Sequence, residues 1–363
     1  MPFIMGCVYM WLWWFKLPFT LKTISLTFLS LLTTIGFASL GYFINEFFDK
    51  ESDAKAGKLN KLAFISPQLQ FGICLSSIAL TLLPWIWLPS NSISWLLIVL
   101  QIFLFLIYSL PFPRIKESTY LSVVIDSLYA YVVPLILSFY TFGLIAGTTT
   151  IPTWFYLFVV AVFFIGLRNI IIHQVNDVMK DKQSGMTTLP MVLGVENTKL
   201  VVVIILLYEV LFIMTWVLAL QVEHVEMWMW IPIYLPAAFY SLRYLLSTSN
   251  INYDKLFINY TYQYFMPLLL ILLLVINNVG WIFILLLHVI LLIPFHLIKK
   301  SFNLLKEVIS YTQRFVYNDV RNILSMVINY PIYYCFRLLG VDLKKENVSA
   351  LGILKRKFAS KKI

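Results

Sequence analysis

The sequence predicts an all-α, polytopic membrane helical bundle with nine or ten transmembrane helices, and three observations carry that prediction. Its 363 residues are 61% hydrophobic and 12% charged, with a mean hydropathy of +0.85. A water-soluble domain is about 45–50% apolar and about 25% charged. The apolar residues gather in runs close to the roughly 20 residues that cross about 30 Å of hydrocarbon. These runs are also too continuous for the strands of a membrane barrel, which alternate over about ten residues each.

In chain order the runs are 2–15, 23–44, 69–88, 92–108, 119–144, 152–172, 200–220, 226–246, 257–276 and 281–297. The first, MPFIMGCVYMWLWWF, is short and aromatic. It lacks a basic start and a small-residue cleavage site, so it reads as a short or tilted helix rather than a signal peptide. Run 119–144 contains Asp126. A lone carboxylate at a helix centre costs about 2.5–3.5 kcal/mol on insertion scales, so Asp126 is expected to face a cavity or a polar partner. Two roles fit it: pairing with Arg114 or Lys116 at a helix end, or orienting an acceptor. Run 152–172 contains Arg168, expected to snorkel or to reach a bound anion. Trp85, Trp87, Trp95, Trp228 and Trp230 lie at run ends and read as an interfacial belt.

Lysine and arginine set the orientation. The connections 45–62, 109–118, 173–199 and 247–256 carry these residues, and the alternate connections carry none. By the positive-inside rule the former face the cytoplasm, with Lys16 and Lys22 as a small inconsistency on the outer side. The chain is therefore read as a multi-pass protein of the bacterial cytoplasmic membrane. Cys7, Cys74 and Cys335 show no CxxC spacing and read as small apolar residues. The net charge of +10 is uneven, because 13 of the 27 Lys and Arg residues follow Ile298. Residues 1–298 form the transmembrane domain, and 299–363 read as a basic amphipathic cytoplasmic extension that lies on anionic lipids or packs on the bundle. No nucleic-acid partner is expected.

Two acidic ladders lie at cytoplasmic run ends. YFINEFFDKESD carries Asn45, Glu46, Asp49 and Asp53, and HQVNDVMKDKQSG carries Asn176, Asp177 and Asp181. Residues four apart share a helical face, which groups Asn45 with Asp49 and Asp53, and Asp177 with Asp181. Stacked carboxylates repel unless a cation lies between them, and an all-oxygen set suits Mg2+ completed by waters and phosphate oxygens. Two such ladders, each with its own ion, would clamp a diphosphate. The bland alternative is a pair of solvated loop clusters; no EF-hand pattern is present. The repetition itself suggests two similar half-bundles.

Between the ladders lies YSLPFPRIK, residues 108–116. Pro111 and Pro113 break the helix, and Arg114 and Lys116 emerge where a guanidinium fork and an ammonium can grip phosphate. Tyr108 can hydrogen-bond the same anion. His173, just before the second ladder, reads as a proton-transfer aid or a hydrogen-bonding support.

These three segments together resemble the UbiA superfamily of intramembrane prenyltransferases, over roughly residues 20–297. The family's Asn-Asp-x-x-Asp-x-x-x-Asp matches Asn45, Asp49 and Asp53, with Glu46 where Asp is customary. Its Asp-x-x-x-Asp matches Asp177 and Asp181, and the following Gly-x-x-Thr-Leu-Pro matches Gly185, Thr188, Leu189 and Pro190. Phe112 separates prolines that are adjacent in the family, and Thr187 stands where many members carry a basic residue. The resemblance implies a helical bundle around a central cavity. It implies Mg2+-dependent transfer of a prenyl group from a polyprenyl diphosphate to an aromatic, chlorin, lipid-alcohol or sugar-phosphate acceptor. In that reading Asn45, Asp49, Asp53, Asp177 and Asp181 are catalytic, and with Glu46 they bind two Mg2+ ions. Tyr108, Arg114, Lys116, Asn176 and Thr188 hold the diphosphate, and Asp126, His173 and Arg168 support it or the acceptor. A multi-pass transporter of a cation or organic anion is the alternative. It would place ionisable groups near the midplane in both halves.

Overall fold

Long apolar helices with polar ends dominate the computed structural model. It describes residues 2–292, apart from 56, 58, 113–114, 185–186, 221–224, 249–250 and 252–255, together with 306–307, 309–310 and 313. The chain divides into two units, Met1–Ser301 and Phe302–Ile363. In the second, residues 306–307, 309–310 and 313 are helical. The basic tail and Cys335 fall outside the described residues.

The first unit begins with α1 (Pro2–Trp14), α2 (Leu21–Lys55), α3 (Pro67–Leu82) and α4 (Ser92–Ser109). It continues with α5 (Leu121–Ser127), a π-helical turn at Leu128–Val132, and α6 (Val133–Ile145). Then follow α7 (Thr153–Ser184), the short α8 (Leu189–Leu193), α9 (Val195–Leu220) and α10 (Ile231–Ser247). Last come α11 (Phe257–Tyr260), a second π turn at Thr261–Phe265, α12 (Met266–Asn277) and α13 (Ile282–Leu292). Within the described residues, every apolar run read from the sequence is a helix or a close succession of helices.

Among the described residues seven helices are long and apolar enough to cross a membrane: Leu21–Lys55, Pro67–Ile86, Ser92–Ser109, Leu121–Ile145, Thr153–Met179, Val195–Leu220 and Phe257–Asn277. Phe3–Trp14 and Val279–Ile290 are shorter apolar helices. Nine or ten full spans are thus not all matched by length among the described residues, where α1 has 13 residues, α10 has 17 and α13 is described as far as Leu292.

The two long helices α2 and α7 carry the ladders. A helix of 35 residues is about 52 Å long at 1.5 Å per residue, well beyond the roughly 30 Å of hydrocarbon. The ladder is built in its last turns. The end of α2 lies beside Gly57, at φ +63°, a conformation natural to glycine. Ser66 then caps α3, accepting from the Leu69 amide at 3.3 Å with Pro67 in the first turn.

α2 and α3 pack backbone to backbone. A Cβ on Gly36 would lie 2.4 Å from the Thr81 nitrogen and 2.6 Å from the Leu80 carbonyl carbon. Ser39 and Ser77 share a 2.7 Å hydrogen bond across the same seam. Small residues permit such approach where no hydrophobic force drives helices together. Gly36→Ala is expected to wedge the pair apart and cost about 1–3 kcal/mol. Gly72→Ala, whose Cβ would meet nothing within 4 Å, is the control. Thermal unfolding of the two purified variants checks this, and equal melting would refute it.

Both π turns precede a proline. Pro134 and Pro267 have no N–H, so the preceding amides reach five residues back: Val133 to the Leu128 carbonyl, Met266 to the Thr261 carbonyl. The turns belong to matching segments, DSLYAYVVP at 126–134 and NYTYQYFMP at 259–267. This is a second internal repeat beside the ladders.

α1 is the most enclosed helix. Cys7, Val8, Trp11 and Leu12 are fully buried, and α1 packs on α6 and α12. Trp11 Nε1 donates to Ser138 Oγ at 2.8 Å, and a Cβ on Gly6 would meet Pro267 at 2.9 Å. Cys74 is half-buried. The tryptophan belt needs correction: Trp87 is 64% exposed, but Trp85 and Trp230 are 5% and 1% exposed. Trp230 packs inward, edge-on to Trp216 and tilted against Tyr234, because its helical turn packs on α9 and α10.

Candidate active site

α2 and α7 bring their polar ends to one cavity of about 850 Å3. From α2 it is lined by Asn45 and Asp49, and from α7 by His173, Asn176, Asp177 and Asp181. Tyr108, Lys116, Asp126 and Thr188 complete this end. Toward the other end the lining includes Ser30, Trp85, Leu88 and Thr141. Along α2, Asp49 to Ser30 is about 28 Å at 1.5 Å per residue, so the cavity runs through much of the bundle.

The ladders are only partly as expected. Four residues advance a helix by about 400°, so each step drifts about 40° and Asp53 is turned about 80° from Asn45. Asp53 accordingly leaves the cavity wall and accepts from Asn60 Nδ2 at 2.9 Å. Asn60 Nδ2 also donates to the Glu46 carbonyl at 2.8 Å, and the Lys61 amide donates to Glu46 Oε2 at 3.1 Å. Glu46 and Asp53, expected among the metal ligands, are not among the residues lining the cavity and hydrogen-bond the loop that follows α2. Asp177 and Asp181, one step apart, both reach the cavity, and Asp181 is 5% exposed.

Lys116 is buried, and its ammonium touches the Asp49 carboxylate. Burial pushes its pKa down to about 8, with Glu117 acting in the opposite sense, so the group stays largely charged at neutral pH. Arg114 lies outside the described residues, as does Gly185. His173 is exposed on α7, with Nε2 3.5 Å from Asp177 Oδ2 one turn on. Asp126 faces the cavity and accepts from the Tyr129 hydroxyl, while the lysine expected to pair with it is taken by Asp49.

Arg168 requires a correction. It neither snorkels nor lines the cavity; it is fully buried, with Nε donating to Glu209 Oε2 at 2.6 Å and Nη2 to Oε1 at 3.2 Å. Tyr262 OH donates to Glu209 Oε1 at 2.8 Å, and Arg168 Nη1 to Asn169 Oδ1 at 3.0 Å. A guanidinium buried in an apolar bundle needs a carboxylate, and α9 supplies it. Glu209 was unread in the sequence, although it is a lone carboxylate in an apolar run, the same signal that singled out Asp126. Asn169, also missed, lies four residues before His173 on the ladder face.

The donor set fits Mg2+. Asn45, Asp49, Asp177 and Asp181 offer only hard oxygens and a carboxamide. Among the described residues no three carboxylate, histidine or cysteine groups converge on one point. That geometry suits an ion held by one or two carboxylates and completed by waters and phosphate oxygens. Nearby, Thr188 Oγ1 and Gln174 Oε1 are buried without a partner among the described residues.

The UbiA prenyltransferase family matches residues 1–257, a span that takes in α1 and both ladders. Among solved structures the chain is similar to a UbiA homologue from Archaeoglobus fulgidus bound to GPP and Mg2+. Identity is 18% and the TM-score 0.56, covering 75% of this chain and 95% of that one. It is also similar to the apo structure of a UbiA homologue from Aeropyrum pernix K1, at 14% identity and TM-score 0.54, covering 76% and 97%. At these identities the likeness is one of fold. No curated protein matches the chain. With the motif order, the bundle and the family match in agreement, the chain belongs to the UbiA prenyltransferase family.

Proposed function

We propose that this membrane protein transfers a prenyl group from an isoprenoid diphosphate to an acceptor, with Mg2+, inside the cavity between α2 and α7. The observation that carries the reading is the meeting of Asn45, Asp49, Asp177, Asp181 and Lys116 around one cavity of a UbiA-family bundle. The Archaeoglobus fulgidus homologue bound to GPP and Mg2+, and the same homologue bound to DMAPP and Mg2+, support the substrate class.

In this reading each ladder serves one of two ions, through Asn45 and Asp49 on one side and Asp177 and Asp181 on the other. Mg2+, when bound, offsets the negative charge that gathers on the departing diphosphate. Lys116 and Arg114 bind phosphate oxygens, and Tyr108, Asn176 and Thr188 donate hydrogen bonds to them. Glu46 and Asp53 fix the loop after α2. The C1–O bond breaks with its electron pair leaving on the diphosphate, a bond forms from C1 to the acceptor, and the acceptor gives up a proton. Apolar walls keep water from the allylic cation, and aromatic faces stabilise it.

The seven long helices with α10 and α13 make nine crossings, and α1 a partial one. The ladders then face the cytoplasm of a bacterial inner membrane, with the basic residues after Ile298 on its anionic leaflet. The test is purified full-length protein in lipid nanodiscs with Mg2+, labelled prenyl diphosphates and membrane extract, with products identified by mass. A labelled adduct that disappears on chelation is expected. Absence of both an adduct and any binding of a non-reactive prenyl diphosphate analogue would overturn the reading.

A further inference from the structure

The repeated segments DSLYAYVVP and NYTYQYFMP put Asp126 and Asn259 in corresponding positions, each three residues before a tyrosine in a π turn. Their surroundings differ. In the first half, the Tyr129 hydroxyl donates to Asp126. In the second, Tyr262 donates to Glu209 instead, within the Arg168 ion pair. Asn259 therefore lacks the tyrosine bond that its counterpart has. Its side chain lines the cavity and is 3% exposed, yet neither Oδ1 nor Nδ2 has a partner among the described residues.

A buried carboxamide without partners is rare in a folded protein and points to a ligand that completes it. The prenyl diphosphate does not do so. Its charged oxygens belong to the ladders and Lys116, and its hydrocarbon chain has no hydrogen-bonding atom. The partner is then the second substrate. We infer that Asn259 binds the acceptor, and that the acceptor carries a neutral hydroxyl or carbonyl at this point rather than a carboxylate or phosphate. The inference rests on the prenyl-transfer reading.

The preference for a neutral group follows from the neighbours. An amide offers two donors and two lone pairs but no charge. Arg168, joined to this turn through the Glu209 carboxylate that Tyr262 also bonds, is already bound by both oxygens of Glu209 and neutralised. An anionic acceptor group would share the cavity with the Asp126 carboxylate, and Lys116, the lysine or arginine among the described residues that lines it, is taken by Asp49. A hydroxyl can donate to Oδ1 and accept from Nδ2 together, and leaves nothing buried and charged. This selects hydroxyl-bearing aromatics or lipid alcohols over sugar phosphates.

The test uses full-length wild type, Asn259→Leu and Asn259→Gln in nanodiscs, each saturated with a non-reactive prenyl diphosphate analogue and Mg2+. Two probes are compared, a long-chain alcohol and its phosphate monoester. Wild type is expected to bind the alcohol more tightly than the phosphate. Asn259→Leu should lose about tenfold or more in alcohol affinity, the size of one good hydrogen bond. Asn259→Gln should recover part of it, and the affinity of all three proteins for the diphosphate analogue should stay the same. Unchanged alcohol binding in Asn259→Leu, or tighter binding of the phosphate by wild type, overturns the assignment while the donor reading stands. Failure of wild type to bind the diphosphate analogue would overturn both.

Discussion

Asp181→Ala is expected to abolish prenyl transfer, with kcat/KM falling at least about a thousandfold, or ~4 kcal/mol of lost transition-state stabilisation. Asp181 is nearly buried, lines the cavity opposite the α2 ladder, and sits one helical step from Asp177. Removing its carboxylate leaves a single acid on α7 to hold an ion against the diphosphate. It is a cleaner test than Asp49→Ala, which would also strip Lys116 of its counter-charge. The measurement is turnover of labelled prenyl diphosphate by purified variant, alongside its melting curve. Wild-type turnover in a folded Asp181→Ala protein would remove this residue from the site.

Glu209→Ala should be the most destabilising single change, costing about 3–5 kcal/mol, since it leaves the Arg168 guanidinium buried without its carboxylate. Tyr262 would lose its carboxylate acceptor in the same step and keep the Tyr234 hydroxyl. The double variant Arg168→Met with Glu209→Leu should recover most of the loss, because replacing both members of a buried pair by apolar groups is often neutral. Thermal unfolding in detergent reads both. A single variant as stable as wild type would show that water or another group compensates the arginine.

The helices were legible because most apolar runs had nearly the length of a span and the polar connections alternated in charge. The ladders were legible because carboxylates at four-residue steps are uncommon where apolar runs end. What the four-residue rule hid was its own drift: it grouped Asp53 with Asn45, and the true 3.6-residue turn carries Asp53 to Asn60. Arg168 was misread because its partner Glu209 lies on another helix, and pairing across helices leaves no local spacing. Asn259 was silent for a similar reason. An asparagine in an apolar run is unremarkable until the cavity shows both its polar atoms without partners.

The enclosure of α1 sets an order of assembly. Phe3 touches the rings of Tyr131 and Tyr262, one from each half, at 6.1 and 6.2 Å, and Gly6 abuts Pro267 at the start of α12. During synthesis α1 leaves the ribosome long before α12 exists. The first half can gather around α2 and α6 while one flank of α1 still faces lipid. Contacts this distant in sequence form late and slowly. The part of the cavity wall that Phe3, Ile4 and Tyr262 share is therefore completed only when α12 docks against α1, so truncations within α12 should leave an inserted but incompletely packed protein.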